Sequence, residues 1–320
     1  MIFFKCMRPA VRGTTIKNTM ADGLNFSNCL DPAAHAVLTE DTGDDGIAFI
    51  SYDNEGDPGH TGGRATDVVV RRSGTRGIVV AGQSGVAVEG FEIDTTHDSG
   101  ALVLHDEYWN TRVPSGVVYS RGVVRNAGKG ERGTGNSESH PKHGVQYDKV
   151  GSVEFRDISV YDTVDYGVSG SSEAFERSMA DGSTVPIPGG EVTMTNIKVA
   201  RAAGMGFSLR GGETHLDKLV AKETGDTAIY IGGCGLVEYG ELSSLNSSKT
   251  NPSANAMRFE GNERIEGAGL TVTDDQTPPT GYKLTTSGEQ SGTLGEVRDQ
   301  IANGDLAIEN PSNLDYAAEA

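Results

Sequence analysis

The sequence has 320 residues, 44 of them glycine, and a formal charge of −18 at pH 7. So acidic a chain is not expected to bind nucleic acid or an anionic membrane, because phosphate groups need clustered Lys and Arg. Its three cysteines (Cys6, Cys29 and Cys234) are too few and too widely spaced for a disulfide framework or a zinc site. No apolar segment is long enough to cross a membrane, and no signal peptide is visible.

Short alternating apolar segments recur along the chain, each after a polar turn that ends in glycine or alanine. In chain order they include "MADGLNF", "GDDGIAF", "TRGIVV", "DSGALVL" and "YGVSG". The small residues that begin them, which we call anchors, are Gly23, Gly46, Gly77, Gly100, Gly144, Gly167, Gly206, Ala228 and Ala256. The shortest spacings between anchors are 22 and 23 residues, and the longer ones contain polar, glycine-rich insertions.

This repeat predicts the fold. A unit of 22–23 residues cannot bury its own apolar face, so it must stack on its neighbours. The segments alternate with period two, lack a helical period and lack the leucine consensus of leucine-rich repeats. We therefore predict an all-β, right-handed parallel β-helix of about nine coils over residues 1–273. The period is lost after residue 273, and we predict a capping or flexible segment over 274–320.

Stacking also predicts which side chains meet. Equivalent positions of successive coils lie about 4.8 Å apart. The position before the anchor is occupied in order by Asp22, Asp45 and Arg76, and Asp44 precedes Asp45. We expect three carboxylates and a guanidinium to converge on one edge of the solenoid. Asp-Gly pairs are also common in ordinary turns. Each aspartate, considered by itself, could therefore be a turn residue with no role in a site.

The segments "NTMADGLNF" and "EDTGDDGIAF", within residues 14–50, resemble the β-helix glycoside hydrolases of the pectate-lyase-like superfamily. Polygalacturonases carry related motifs, and the mycodextranase/α-1,3-glucanase and dextranase families carry closer ones. The resemblance implies hydrolysis of a polysaccharide with inversion, without metal or cofactor, outside the cell or at its surface. It implies Asp44 as general acid, with Asp22 and Asp45 holding the attacking water.

Four residues are candidates for substrate binding. Arg76 lies in the column of the aspartates, and His60 lies in an insertion. Tyr108 and Trp109, also in an insertion, could stack on a sugar ring, although aromatic side chains equally often cover a loop.

The sequence departs from the polygalacturonase pattern and leaves other functions open. The Gly-His-Gly motif has no clean equivalent, and the Arg-x-Lys element is absent, which favours a neutral glucan over pectin, or a loss of activity. A polysaccharide lyase with Ca²⁺ on the aspartates and Arg76 as base is one alternative. The other is a non-catalytic β-helix, glycan-binding or structural, such as a viral spike. We expect a monomer or a homotrimer.

Overall fold

The protein, as seen in a computed structural model, consists of β-strands, most of them stacked in two long sheets and two of them in a separate antiparallel pair. The structure describes residues 1–52, 61–105, 112–130, 140–178, 182–251, 253–276, 279–280, 282–302, 305–310, 312 and 314–318. In chain order the strands are β1 (Ile2–Phe4), β2 (Ala10–Arg12), β3 (Thr15–Thr19), β4 (Leu24–Ser27), β5 (Ala33–His35), β6 (Leu38–Thr42), β7 (Ile47–Ile50), β8 (Arg64–Ser73), β9 (Ile78–Ala81), β10 (Ala87–Thr96), β11 (Leu102–His105), β12 (Val117–Arg125), β13 (Val145–Asp148), β14 (Ser152–Tyr161), β15 (Val168–Ser171), β16 (Phe175–Ser178), β17 (Thr184–Ile187), β18 (Glu191–Ala200), β19 (Phe207–Arg210), β20 (Glu213–Lys222), β21 (Ile229–Gly232), β22 (Leu236–Leu245), β23 (Met257–Glu260), β24 (Arg264–Asp274), β25 (Lys283–Ser287), β26 (Ser291–Ile301), β27 (Ala307–Glu309) and β28 (Asp315–Ala318).

Each coil of the chain adds one level to both sheets. The first sheet runs in the order β1-β4-β7-β9-β11-β13-β15-β19-β21-β23-β25-β27, and the second begins β2-β5-β8-β10-β12 and ends at β28. Neighbouring strands within both sheets are parallel. In the first two coils the second-sheet strand is split, so that β8 pairs with both β5 and β6. These features confirm the predicted all-β, parallel β-helix fold.

The described residues contain twelve coils, three more than the nine anchors. The additional coils are those of β1, β25 and β27. Met257 pairs with Leu284 and Leu284 with Ile308, so the solenoid continues past residue 273. The anchor position before Leu284 is occupied by Lys283, not by a small residue, which concealed this coil in the sequence. The described strands of 274–320 therefore extend both sheets, and a capping role for this segment stays a prediction.

One predicted anchor is displaced by a residue. Leu102 pairs with Ile78 on one side and with Val145 on the other, so the anchor of this coil is Ala101 and not Gly100. The segment "SGALVL" offers two adjacent small residues, and spacing alone favoured the wrong one. Gly100, rather than Ser99, therefore occupies the position next to Arg76 in the column.

The core is built from the inward-facing positions of both sheets, because strand side chains alternate between faces. In the first sheet the rings of Phe3, Phe26 and Phe49 stack, with centroids 5.5 and 5.3 Å apart. Phe26 and Phe49 are fully buried. Such aromatic ladders fix the strand register, since a shift by one residue would turn the rings to the outside.

A column of left-handed residues turns the chain at the end of nine second-sheet strands, from β3 to β22. Their φ angles lie between 49° and 68°, a conformation that costs non-glycine residues energy and that Asn and Asp tolerate best. The members are Asn18, Asp41, Arg72, Thr95, Asn126, Asp162, Arg201, Glu223 and Asn246. Their repetition sets a sharp corner at the same place in successive coils. None of the described residues forms a helix with the length and hydropathy that crossing a membrane requires.

Candidate functional site

The predicted site lies at the corner where the chain passes from the second sheet to the first. Close approach of neighbouring coils explains the glycines at this corner. A Cβ atom on Gly46 would lie 2.6 Å from the carbonyl oxygen of Gly77, and one on Gly23 would lie 2.7 Å from that of Gly46. Only glycine fits such a contact without displacement. The residues just before the anchors are consequently held one above another.

Hydrogen bonds between coils confirm the predicted column. The backbone N–H of Asp45 donates to Asp22 Oδ1 at 3.1 Å, and the backbone N–H of Arg76 donates to Asp45 Oδ1 at 3.1 Å. Farther along the same corner, the N–H of Tyr166 donates to His143 Nδ1 at 3.2 Å. Each of these side chains thus accepts a backbone donor from the next coil, which fixes its position.

The structure brings Asp22, Asp44 and Asp45 together. One carboxylate oxygen from each lies within 4.8 Å of one from each of the others. Asp45 is 1% exposed, whereas Asp22 and Asp44 are half-buried. Asn25, on strand β4, donates from Nδ2 to Asp22 Oδ2 at 2.5 Å. The site therefore has a buried side at Asp45 and a more open side at the other two carboxylates.

Arg76 is the cation of this cluster. Its Nε donates to Asp45 Oδ1 at 2.8 Å, in addition to the backbone contact, and its side chain is only 16% exposed. A buried carboxylate that receives two donors and a full positive charge is far less costly than an isolated one. Substrate binding by Arg76 stays a prediction, because its guanidinium contacts Asp45 and His105 within the protein.

Burial raises the pKa values of the carboxyl groups in this cluster to different extents. It raises the pKa of Asp45 to about 7, against the opposing effect of the Arg76 charge, and the charge of Asp44 adds to the rise. Burial also raises the pKa of Asp22, partly offset by the hydrogen bond from Asn25. Carboxyl groups this close share their protons and titrate as a set. The raised pKa values of Asp45 and Asp22 therefore favour a proton shared within the cluster at a pH where free carboxyl groups are ionised.

Sequence reasoning missed His105, the last residue of β11. Its Nε2 lies 3.1 Å from Arg76 Nη1, so Arg76 links the aspartate cluster to an imidazole on the next coil. The residue does not precede an anchor and belongs to no motif. Only the register of β11 on β9, which places it opposite Ala81, could have indicated that it lies near the site.

The outward positions of the same strands are also unusual, because they are apolar. Ala48 and Ile50 on β7, Val79 and Ala81 on β9, and Val103 on β11 form a second buried cluster, with exposures of 0–4%. Water is thus excluded from this face of the first sheet next to the site, which strengthens electrostatic interactions there.

Three predicted substrate-binding residues, His60, Tyr108 and Trp109, lie outside the described residues. Their roles stay predictions.

The cluster can hold one small species between its carboxylates. Two oxygens that accept hydrogen bonds of about 2.8 Å from one water are at most about 5.6 Å apart. A Ca²⁺ ion bound at about 2.3–2.6 Å would hold two oxygens at most about 5.2 Å apart. The separations of up to 4.8 Å fit either species, so distance alone does not choose between a water and a cation.

The sequence matches no protein-family model and none of the curated proteins compared with it. Among solved structures, the chain is similar to the periplasmic alginate epimerase AlgG, with a TM-score of 0.41 and 10% identity over 98% of this chain and 73% of the other. It is also similar to the Siphovirus 9NA tailspike receptor-binding domain, with a TM-score of 0.40 and 11% identity over 100% and 72% of the chains. At these identities and TM-scores, the chemistry of the site has to be argued from its own residues.

Proposed function

We propose that this chain is a polysaccharide-cleaving β-helix enzyme, a glycoside hydrolase that uses Asp22, Asp44 and Asp45. The observation that carries the proposal is the close set of carboxyl groups in unequal environments. Burial raises the pKa of Asp45 to about 7, and the neighbouring carboxyl oxygens are within 4.8 Å. Glycoside hydrolysis requires a proton donor and a proton acceptor side by side, which such a set provides.

The roles follow from exposure. Asp22 and Asp44 are half-buried and can meet a sugar, whereas Asp45 is enclosed. We assign Asp44 to protonating the leaving oxygen, and Asp22 with Asp45 to holding the attacking water. The hydrogen bond from Asp45 N–H to Asp22 Oδ1 keeps these two groups in a fixed relation. The resemblance further implies that the substrate is met outside the cell or at its surface.

The resemblance also implies inversion of the anomeric configuration, and this needs its own test. Carboxyl groups are about 6.5–9.5 Å apart in inverting enzymes and about 5–5.5 Å apart in retaining ones. The limit of 4.8 Å found here is between single oxygen atoms and not between carboxyl groups, so it does not distinguish the two arrangements. Proton NMR of the first product, recorded before mutarotation, distinguishes the two outcomes directly.

Release of reducing ends tests the proposal. Wild-type protein is incubated at high salt with a panel of α-glucans and pectins, beside Asp44→Asn and Asp165→Asn. Asp165 occupies the position of Asp44 on another coil, so its replacement controls for effects on the turn. We expect Asp44→Asn to lose about 10²–10⁴-fold in rate, as removal of a general acid does, and Asp165→Asn to keep its activity. No release by the wild type from any substrate would contradict the hydrolase proposal.

A Ca²⁺-dependent lyase is the second candidate, because the oxygen separations also suit a cation. It needs Arg76 as a base, and a guanidinium that donates to Asp45 at 2.8 Å keeps its proton. A lyase product absorbs in the ultraviolet and its formation stops in chelator, whereas hydrolysis yields reducing ends without that absorbance. A non-catalytic glycan-binding or structural protein would cut nothing, and Asp44→Asn would leave it unchanged.

A further inference from the structure

Arg76 connects groups on three consecutive coils. Its Nε donates to Asp45 Oδ1 at 2.8 Å, and its Nη1 lies 3.1 Å from His105 Nε2. Asp45 precedes β7, Arg76 precedes β9 and His105 ends β11, and these strands are neighbours in the first sheet. The carboxyl group and the imidazole thus contact the guanidinium from the preceding and the following coil.

The chemistry of the two side chains fixes the protonation of His105 in this arrangement. Arginine has only donors and stays charged at any pH at which proteins fold. His105 Nε2 must therefore accept the hydrogen bond, which leaves the imidazole neutral with its proton on Nδ1. An imidazolium would instead point an N–H at a guanidinium 3.1 Å away, with like charges in contact.

We propose that neutral His105 is a positioning residue that holds Arg76 against Asp45. Its role is indirect, because His105 contacts Arg76 and Arg76 in turn contacts Asp45. Any effect on catalysis rests on the proposed hydrolase function, whereas the link between His105 and Asp45 does not.

Charged groups lie next to His105 on both neighbouring coils. Arg76 contacts it from the preceding coil. Asp148, directly opposite His105 on β13, interacts with it electrostatically. Lys149 and Glu173 act on Asp148 with opposite sign, while Ala81 on β9 carries no charge. His105 is therefore placed between a permanent cation and a carboxyl group.

The first test reads the tautomer of His105 in the wild-type protein. Long-range ¹⁵N–¹H NMR distinguishes a protonated from an unprotonated ring nitrogen. At pH 8 we expect Nε2 to be unprotonated and Nδ1 to carry the proton. A proton on Nε2 would overturn the proposal, and this measurement needs neither a variant nor a substrate.

The second test follows the ¹³C signal of the Asp45 carboxyl group with pH in wild type, His105→Gln and His105→Leu. Gln can still accept a hydrogen bond from Arg76, but it does not titrate. Leu neither accepts a hydrogen bond nor titrates. We expect the apparent pKa of Asp45 to rise by more than about 0.3 unit in His105→Leu, because Arg76 is held less firmly, and to rise less in His105→Gln. His215→Gln, which alters a histidine paired with Glu238 on the second sheet, should match the wild type.

Identical Asp45 titrations in the folded wild type and both His105 variants would overturn the proposal. If the link is found while no polysaccharide is cut, the positioning role of His105 stands and the hydrolase proposal fails. If polysaccharide is cut and the titration of Asp45 does not depend on His105, the hydrolase proposal stands and the positioning role of His105 fails.

Discussion

Replacing Asp45 with Asn should change the pH dependence of stability in a defined direction. Asn keeps the shape of the side chain and removes its ionisation. Burial raises the pKa of the wild-type carboxyl group from 3.8 to about 7 on folding. The folded protein therefore binds a proton at Asp45 more tightly than the unfolded chain. That contribution to stability is complete below pH 3.8 and is lost as the pH rises through 7.

The magnitude follows from proton linkage. One unit of pKa difference corresponds to about 1.4 kcal/mol, so the full effect of this shift is about 4 kcal/mol. Between pH 5 and pH 8 the free energy of unfolding of the wild type should fall by about 3 kcal/mol relative to Asp45→Asn. Because the side chain is 1% exposed, no large reduction for solvent screening applies.

Urea denaturation at intervals from pH 5 to pH 8 measures this difference. The proteins should be compared only where the free energy of unfolding depends on urea concentration with the same slope. Stacked coils can unfold in steps, and a changed slope would reveal this. Asp165→Asn removes a carboxyl group from the equivalent turn of another coil and serves as the control for the substitution itself. The reasoning is refuted if the free energies of unfolding of wild type and Asp45→Asn differ by the same amount at every pH. It is also refuted if the wild type becomes relatively more stable as the pH rises.

Two further substitutions test the corner. Arg76→Met leaves the buried carboxylate without its cation. We expect the free energy of unfolding, measured by urea denaturation, to fall by about 3–5 kcal/mol at pH 8 and by less at pH 5. An equal loss in an Asp45→Asn background would contradict the pairing. Gly46→Ala places a methyl group 2.6 Å from the carbonyl oxygen of Gly77, so we expect a loss of about 1–3 kcal/mol in the same assay. Gly235→Ala, whose nearest neighbouring atom would be 3.8 Å away, should cost less than about 1 kcal/mol, and equal costs at the two positions would count against the close approach of the coils.

The fold was predictable because small residues recur at the same position of successive coils. Gly23, Gly46 and Gly77 are required by contacts between coils, so their spacing reports the coil length. The same rule failed where the contact does not demand glycine. Ala101 replaces the expected Gly100, and Lys283 stands at an anchor position with no small residue at all.

The site was predictable in part for the same reason. Asp22, Asp45 and Arg76 share one position of the repeat, and the register alone brought them together. His105 could not be found this way, because it ends β11, whereas Gly100 occupies the position of its coil next to Arg76 in the column. The pKa of Asp45 was equally hidden, since it depends on burial of the whole corner and not on the residues beside it in the chain.

The column of hydrogen bonds has a consequence for how such a chain can change over time. Asp22 is tied to Asp45, and Asp45 to Arg76, by contacts that do not pass through the connecting segments. Those segments differ in length: Leu24 and Ile47 are 23 residues apart, whereas Ile47 and Ile78 are 31 apart, yet all three strands stay in register. Loops around the corner can therefore be lengthened, shortened or exchanged while the carboxylates keep their mutual distances. Under the proposed hydrolase function, specificity and chemistry would then be separable parts of the molecule, open to independent selection or engineering.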